Sequence, residues 1–172
     1  MPSKLFSPIT LRGLALPNRV VVSPMCQYNS ENGSANDWHL MHLGQFSLGA
    51  GALVMTEATN VNMVGRISLK CATLCTDENE AALKRVIDFC RKYGVAKLGI
   101  QLGHAGRKGS TLPPAAGGKP LKAEEGAWET VAPSAAALRA GLAHAARPFQ
   151  GRDRGDQGRL RCIGQAGRPD RL

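Results

Sequence analysis

Apolar and polar positions along the chain follow two different rhythms, and the alternation between them predicts the order of elements. Residues 5–18 hold two short apolar runs broken at Arg12-Gly13, the pattern of a small hairpin. Residues 19–23 follow as a continuous β-branched strand of the kind buried on both faces of a parallel sheet, stopped by Pro24. A helix is expected from Asn36 or Asp37, either able to cap it, to about Leu48, with Leu40, Leu43, Phe46 and Ala50 at three- and four-residue spacing and Gly49 and Gly51 closing it. Residues 52–56 read as a second buried strand, with Glu57, Ala58 and Thr59 at its C-terminal end. Asp77 with Glu80 three positions on gives a capping-box spacing for the clearest helix, whose stripe is Leu83, Val86, Ile87 and Cys90 and whose stop is Gly94. Its wet side carries Lys84, Arg85, Arg91 and Lys92. Residues 96–102 read as a third strand.

Strand, helix, strand, helix, strand argues for an α/β parallel sheet joined by right-handed crossovers. After His104 the chain turns Pro- and Gly-rich, and residues 111–134 read as a long loop. From about residue 136 the character changes: the last 37 residues contain eight Arg and no Lys, no periodic apolar face, and Ile163 as their only β-branched residue. Too little surface there can be buried to offset ordering entropy, so residues 136–172 are expected to be a disordered tail beside a folded part spanning residues 1–135. The codon bias implied by Ala, Arg, Gly and Pro motivates a further hypothesis, out-of-frame translation of a longer gene. Resequencing the locus tests it, and an intact frame near codon 135 counts against it.

The net charge of +9 would ordinarily point to an anionic partner, but more than half of it, +5, comes from the tail. The tail has one Phe and no Tyr or Trp to stack on bases, which argues against a specific nucleic-acid site. Five cysteines without a framework spacing, no leader-like opening and no apolar run near the ~18 residues of a membrane span make a reduced cytoplasmic setting the expectation. His39 and His42, three apart on a helix, lack a placed third metal ligand, and Cys71 and Cys75 lack the paired spacing of a zinc site.

The most specific chemistry lies in Ser23-Pro24-Met25-Cys26-Gln27-Tyr28, a thiol and a phenol set just past a strand end, and in Gln101-Leu102-Gly103-His104-Ala105-Gly106-Arg107. With the opening run from Leu5 to Val22, these motifs closely resemble the old yellow enzyme family of FMN-dependent oxidoreductases, in the bacterial Cys-containing ene-reductase branch. The resemblance covers about residues 4–135. It implies a TIM (β/α)8 barrel, of which about three β/α units plus the hairpin are visible here. A complete barrel typically takes about 250 residues and rarely fewer than about 200, so the expectation is an N-terminal portion of one.

The resemblance further implies an FMN-dependent NADPH dehydrogenase, passing hydride from NADPH (or NADH) by way of FMN to the C=C bond of an α,β-unsaturated carbonyl, often as a homo-oligomer. It lays the backbone of Ser23, Pro24, Met25 and Cys26 along the flavin, with the thiol tuning the ring. It gives Gln101 to the pyrimidine edge, which suits an amide offering both donor and acceptor. Ala58 becomes the small residue that admits the ring, and Tyr28 the contact to the enone. Residue chemistry alone leaves alternatives: Cys26 as a packed structural thiol, Gln101 as a satisfied interior amide, Tyr28 as a surface phenol. His104 and Arg107 read as loop-shaping. The family's substrate-anchoring donor pair, proton-donating tyrosine and phosphate site have no matching positions, and His144 falls in the divergent tail. Two other readings therefore stand beside the enzyme: a non-catalytic remnant with an open sheet edge, and a basic interaction module acting through its tail.

Overall fold

A computed structural model describes residues 3–49 and 51–134; the tail expected over 136–172 lies outside the described residues. The hairpin forms as β1 (Ile9–Leu11) and β2 (Leu14–Leu16), antiparallel, with Arg12 at φ 53° in its turn. Leu16 is buried whereas Leu11 and Leu14 are exposed.

The sheet that follows has three parallel strands in the order β3 (Val21–Val22), β4 (Leu53–Asn60), β5 (Lys97–Gly103). Helices α1 (Asp37–Leu48) and α2 (Asp77–Tyr93) connect them. Leu43 of α1, Val54 of β4, and Val86 and Cys90 of α2 form the core of the interface between sheet and helices, with Val22, Leu40, Phe46, Phe89, Ala96 and Leu98 packed against it. Leu40, Leu43 and Phe46 of α1 and Val86 and Cys90 of α2 thus meet this core as their spacing predicted, while Leu83 and Ile87 are half-buried outside it; Ala50 lies outside the described residues. Among the described residues no helix is long and apolar enough to cross a membrane.

Five expectations need correction. The strand over 19–23 is only two residues long, because only Val21 and Val22 find partners, Leu53 and Val54. It is covered on one face rather than both: Val22 meets the core while Val21 is 47% exposed. The third strand begins at Lys97 and runs to Gly103. Helix α2 is capped by Thr76, whose side chain accepts from the Asn79 N–H, so the Asp77–Glu80 capping box does not form. Asn36 does cap α1, in a reciprocal box with His39.

The largest correction concerns β4. Glu57, Ala58 and Thr59 are inside the strand, not beyond its end, because pairing with β5 resumes after an irregularity: Met55 faces Gly99, yet Ala58 faces Gln101. Three residues on β4 advance against two on β5, a bulge of one surplus residue. Side chains on a strand alternate between faces, so the surplus flips the phase. Val54 faces the helices, and Thr56 and Glu57 are both buried. Ala58 is then turned to the opposite face, the one not covered by α1 and α2.

Residues 104–134 form a long loop, as expected, but an ordered one, built on short 3-10 turns at Gly106–Lys108, Pro114–Ala116 and Ala123–Glu125. It folds over the loop between β4 and α2. The Ala105 N–H donates to Gly65 O at 2.7 Å, Thr111 N–H to Ile67 O at 3.0 Å, and the Trp128 indole to Val64 O at 3.1 Å. Arg66 stacks over the Trp128 ring, 5.2 Å from its centroid.

Candidate functional site

In a parallel α/β sheet, side chains that carry chemistry collect where strands end and connecting loops begin. Pro24 has no N–H for a ladder, which releases the chain after β3 into residues 23–30 at that edge. There the chain bends sharply: Tyr28 has φ 51°, a left-handed conformation that a non-glycine residue adopts only when its surroundings hold it. The Cys26 thiol lies within electrostatic reach of the Ala58 main-chain N–H and of the Tyr28 hydroxyl. Ala58 is in register with Gln101, whose side chain is exposed. The structure therefore brings Cys26, Tyr28, Ala58 and Gln101 to one end of the sheet. Ser23 and Met25 are exposed beside Pro24, on main chain with no sheet partner.

Behind this edge lies a polar pair that the sequence pattern did not single out. Glu57 and His39, 6% and 4% exposed, meet at 3.1 Å between Oε1 and Nε2. His39 Nδ1 lies 3.1 Å from the Asn36 N and 2.9 Å from Asn36 Oδ1, which turns Nε2 toward Glu57. Ser30 Oγ lies 3.3 Å from the same Nε2. The other carboxylate oxygen, Glu57 Oε2, accepts the Gln27 N–H at 3.1 Å. A signal was present: an acidic residue inside a run that otherwise carries no charge requires a partner when buried, and Asn36 with His39 has capping spacing.

Burial pushes the Cys26 thiol up from its ordinary 9.0; Glu57 and Cys71 add to the rise, while the Ala58 N–H and Lys108 oppose it. Burial also raises the Tyr28 phenol, followed by the Cys26 and Cys71 sulfurs, the hydrogen bond with Cys26, and Glu57. Cys90 in the core is raised by burial too. All three groups are neutral acids whose folded state holds its proton more tightly than the unfolded chain. Their stabilisation is complete below the unfolded value and is lost as pH climbs past it toward the folded value. Denaturant midpoints should therefore fall above about pH 9, and C26A and C90A should each flatten that slope; parallel slopes in all three proteins would refute the assignment.

His104 and Arg107 shape the loop. His104 Nδ1 accepts the Gly106 N–H at 3.0 Å, and Arg107 donates to Ser134 Oγ at 2.7 Å and Ser134 O at 3.3 Å. Among the described residues no three His, Cys, Asp or Glu side chains cluster as a metal site. His42 packs edge-on against Phe46, ring centroids 5.1 Å apart. Cys71 is buried against Ser68, and Cys75 lies near Asn79.

The arrangement offers a planar group an exposed amide with donor and acceptor, main chain outside any sheet ladder, a small side chain at Ala58 and a thiol edge. That set of donors fits an isoalloxazine ring. Residues 4–137 match the NADH:flavin oxidoreductase / NADH oxidase family. An NADH:flavin oxidoreductase of Gibberella zeae is 42% identical over 154 residues, which are 88% of this chain and 37% of that protein. An NADPH dehydrogenase of Listeria monocytogenes is 50% identical over 108 residues, 62% of this chain and 32% of that protein. The chain thus spans about a third of the length of these relatives. Morphinone reductase superposes with a TM-score of 0.76 over 95% of this chain and 45% of its own, at 22% identity. That likeness shows the fold: the three strands and two helices are a portion of a TIM (β/α)8 barrel.

Proposed function

The chain belongs to the NADH:flavin oxidoreductase / NADH oxidase family, and on that premise we propose that its strand ends form one wall of an FMN site in an ene-reductase. FMN, when bound, supplies hydride transfer from NADPH or NADH to the C=C bond of an α,β-unsaturated carbonyl. The residues proposed to hold the ring are Ser23, Pro24, Met25 and Cys26 along one edge, Ala58 beneath it, and Gln101 at its pyrimidine side. The observation that carries the reading is the gathering of Cys26, Ala58 and Gln101 at one end of three parallel strands, with Ala58 and Gln101 in register.

Each residue has a task its chemistry permits. The raised thiol of Cys26 keeps its proton at neutral pH, so it meets the ring as a weak S–H donor and not as a thiolate. Gln101 donates and accepts from one rigid amide. Tyr28, held in its left-handed bend with a protonated hydroxyl, is proposed to hydrogen-bond the substrate's carbonyl side.

The test is titration of the purified chain with FMN, followed by NADPH-dependent reduction of a simple enone. Binding that weakens by about tenfold in Q101L, the loss expected for one good hydrogen-bonded contact, supports the assignment. A chain that leaves FMN free at millimolar concentration overturns it. One observation favours a second reading, association through sheet edges: among the described residues β3 and β5 each have one unpaired edge, and Val21, Ile100 and Leu102 are exposed there. Concentration-dependent sedimentation without flavin uptake would favour that reading.

A further inference from the structure

A left-handed bend at Tyr28 and a thiol tucked against Ala58 require something to hold residues 26–28 in place, and the molecule provides one anchor from beneath. Glu57 reaches the Gln27 N–H with one oxygen while the other is clamped by His39. The clamp itself is braced: Nδ1 of His39 is tied to the N-cap of α1, and Asn36 in turn donates to Asn29 O at 2.9 Å. Anchor and anchored segment are therefore joined twice, through the β4 bulge and through the start of α1. No side-chain nitrogen or oxygen buried among the described residues lacks a partner, so this pair is saturated. A small cavity lined by Gln27, His39, His42, Thr56, Glu57 and Thr59 adjoins it.

We propose that Glu57, oriented by His39, is a positioning residue that fixes the Cys26–Gln27–Tyr28 turn and thereby sets where the thiol and phenol stand against the ring. This rests on the FMN-site reading for its functional meaning, but the anchor itself is testable without flavin. Its consequences are electrostatic as well as geometric. The groups facing Glu57 are His39 and His42 on α1 and Cys26 and Tyr28 on the turn, while Cys71 from the loop after β4 acts on Cys26 and Tyr28 and Lys108 reaches Cys26 from beyond β5. Burial lowers His42, and Glu57 partly restores it, so His42 is neutral where the thiol is probed.

Two readouts on the full chain without flavin separate position from charge. Alkylation of Cys26 by iodoacetamide, followed across pH 7 to 10 by peptide mass spectrometry, reports the thiol apart from the other cysteines. Amide exchange at Gln27 reports the hydrogen bond to Glu57. E57Q keeps an oxygen for Gln27 and removes the charge, so Cys26 should alkylate about three- to tenfold faster near neutral pH, with Gln27 exchange little changed. E57A removes both, and Gln27 exchange should accelerate by at least about tenfold. H39Q frees the carboxylate and should speed Gln27 exchange in the same direction, which keeps the test available if E57A does not fold. An unchanged Cys26 profile in folded E57Q together with unchanged Gln27 exchange in folded H39Q would overturn the anchor, whatever FMN does. Loss of FMN binding with the anchor intact would overturn the function instead.

Discussion

Gly33→Ala should cost about 2–5 kcal/mol of stability, a large share of what a domain of this kind possesses. Two independent effects add. Asn32 and Gly33 have φ of 49° and 81°, so the turn from Glu31 to Ser34 is of the type I′ kind, which places both central residues in the left-handed region. A side chain at the second of them costs about 1 kcal/mol in backbone conformation alone. The new Cβ would also overlap the Thr73 hydroxyl. Thr73 cannot retreat freely, because it donates to Asn79 Oδ1 at 2.8 Å, and its N–H donates to Gly33 O at 2.9 Å. Asn79 continues the network to Asn32 O at 3.2 Å and Ser34 Oγ at 2.9 Å. Displacing Thr73 thus strips partners from buried groups on three segments, at about 1–3 kcal/mol for each left unsatisfied. The control is Gly13→Ala in the hairpin turn, where no atom lies within 4 Å of the new Cβ; its denaturant midpoint should stay near that of the unmodified chain. Equal midpoints for the two variants would sink the argument.

Ala58→Phe should abolish FMN binding while leaving the fold intact. Ala58 is half-buried on the face of β4 not covered by α1 and α2, so an aromatic side chain has room in the free chain and the unfolding midpoint should move little. In the proposed site that room belongs to the ring. Filling it costs the bound state the overpacking penalty of about 1–3 kcal/mol together with the lost contact area, which corresponds to about a hundredfold or greater loss of affinity. The main-chain N–H that meets Cys26 is unchanged by the substitution, so alkylation of the thiol should not respond. FMN titration beside a thermal melt decides the matter. Undiminished affinity in A58F would remove Ala58 from the site.

The parts legible in the sequence are those whose signal is repeated several times along an element. Helix α2 could be read from Val86 and Cys90 at helical spacing with its charged side opposite, and both residues are fully buried. Helix α1 was legible for the same reason, its cap narrowed to Asn36 or Asp37, of which Asn36 takes the place, and the order of elements predicted the parallel sheet. What escaped was set by single residues whose partners are far away in the chain. Thr76, not Asp77, caps α2 because Asn79 supplies the N–H that meets it. Strand β4 looked finished at Thr56 since Glu57, Thr59 and Asn60 are polar. They remain in the strand because His39 holds Glu57, and Asn60 donates its side-chain amide to Ala72 O at 2.9 Å. Of the site, the motif residues Cys26, Tyr28 and Gln101 were visible as a pattern. The pair beneath them was not, because 18 positions separate Glu57 from His39.

The surplus residue in β4 carries a consequence for how this sequence can change. Exchanging one side chain for another between Met55 and Ala58 leaves the face of every neighbour as it was. Pairing that stretch without the surplus, at unchanged length, would alter parity: the acid would swing to the side where the small residue now stands, and the small residue would be driven into the oily layer beneath. An unchanged chemical inventory would be turned inside out, so the site depends on how β4 pairs with β5 as much as on which residues it holds.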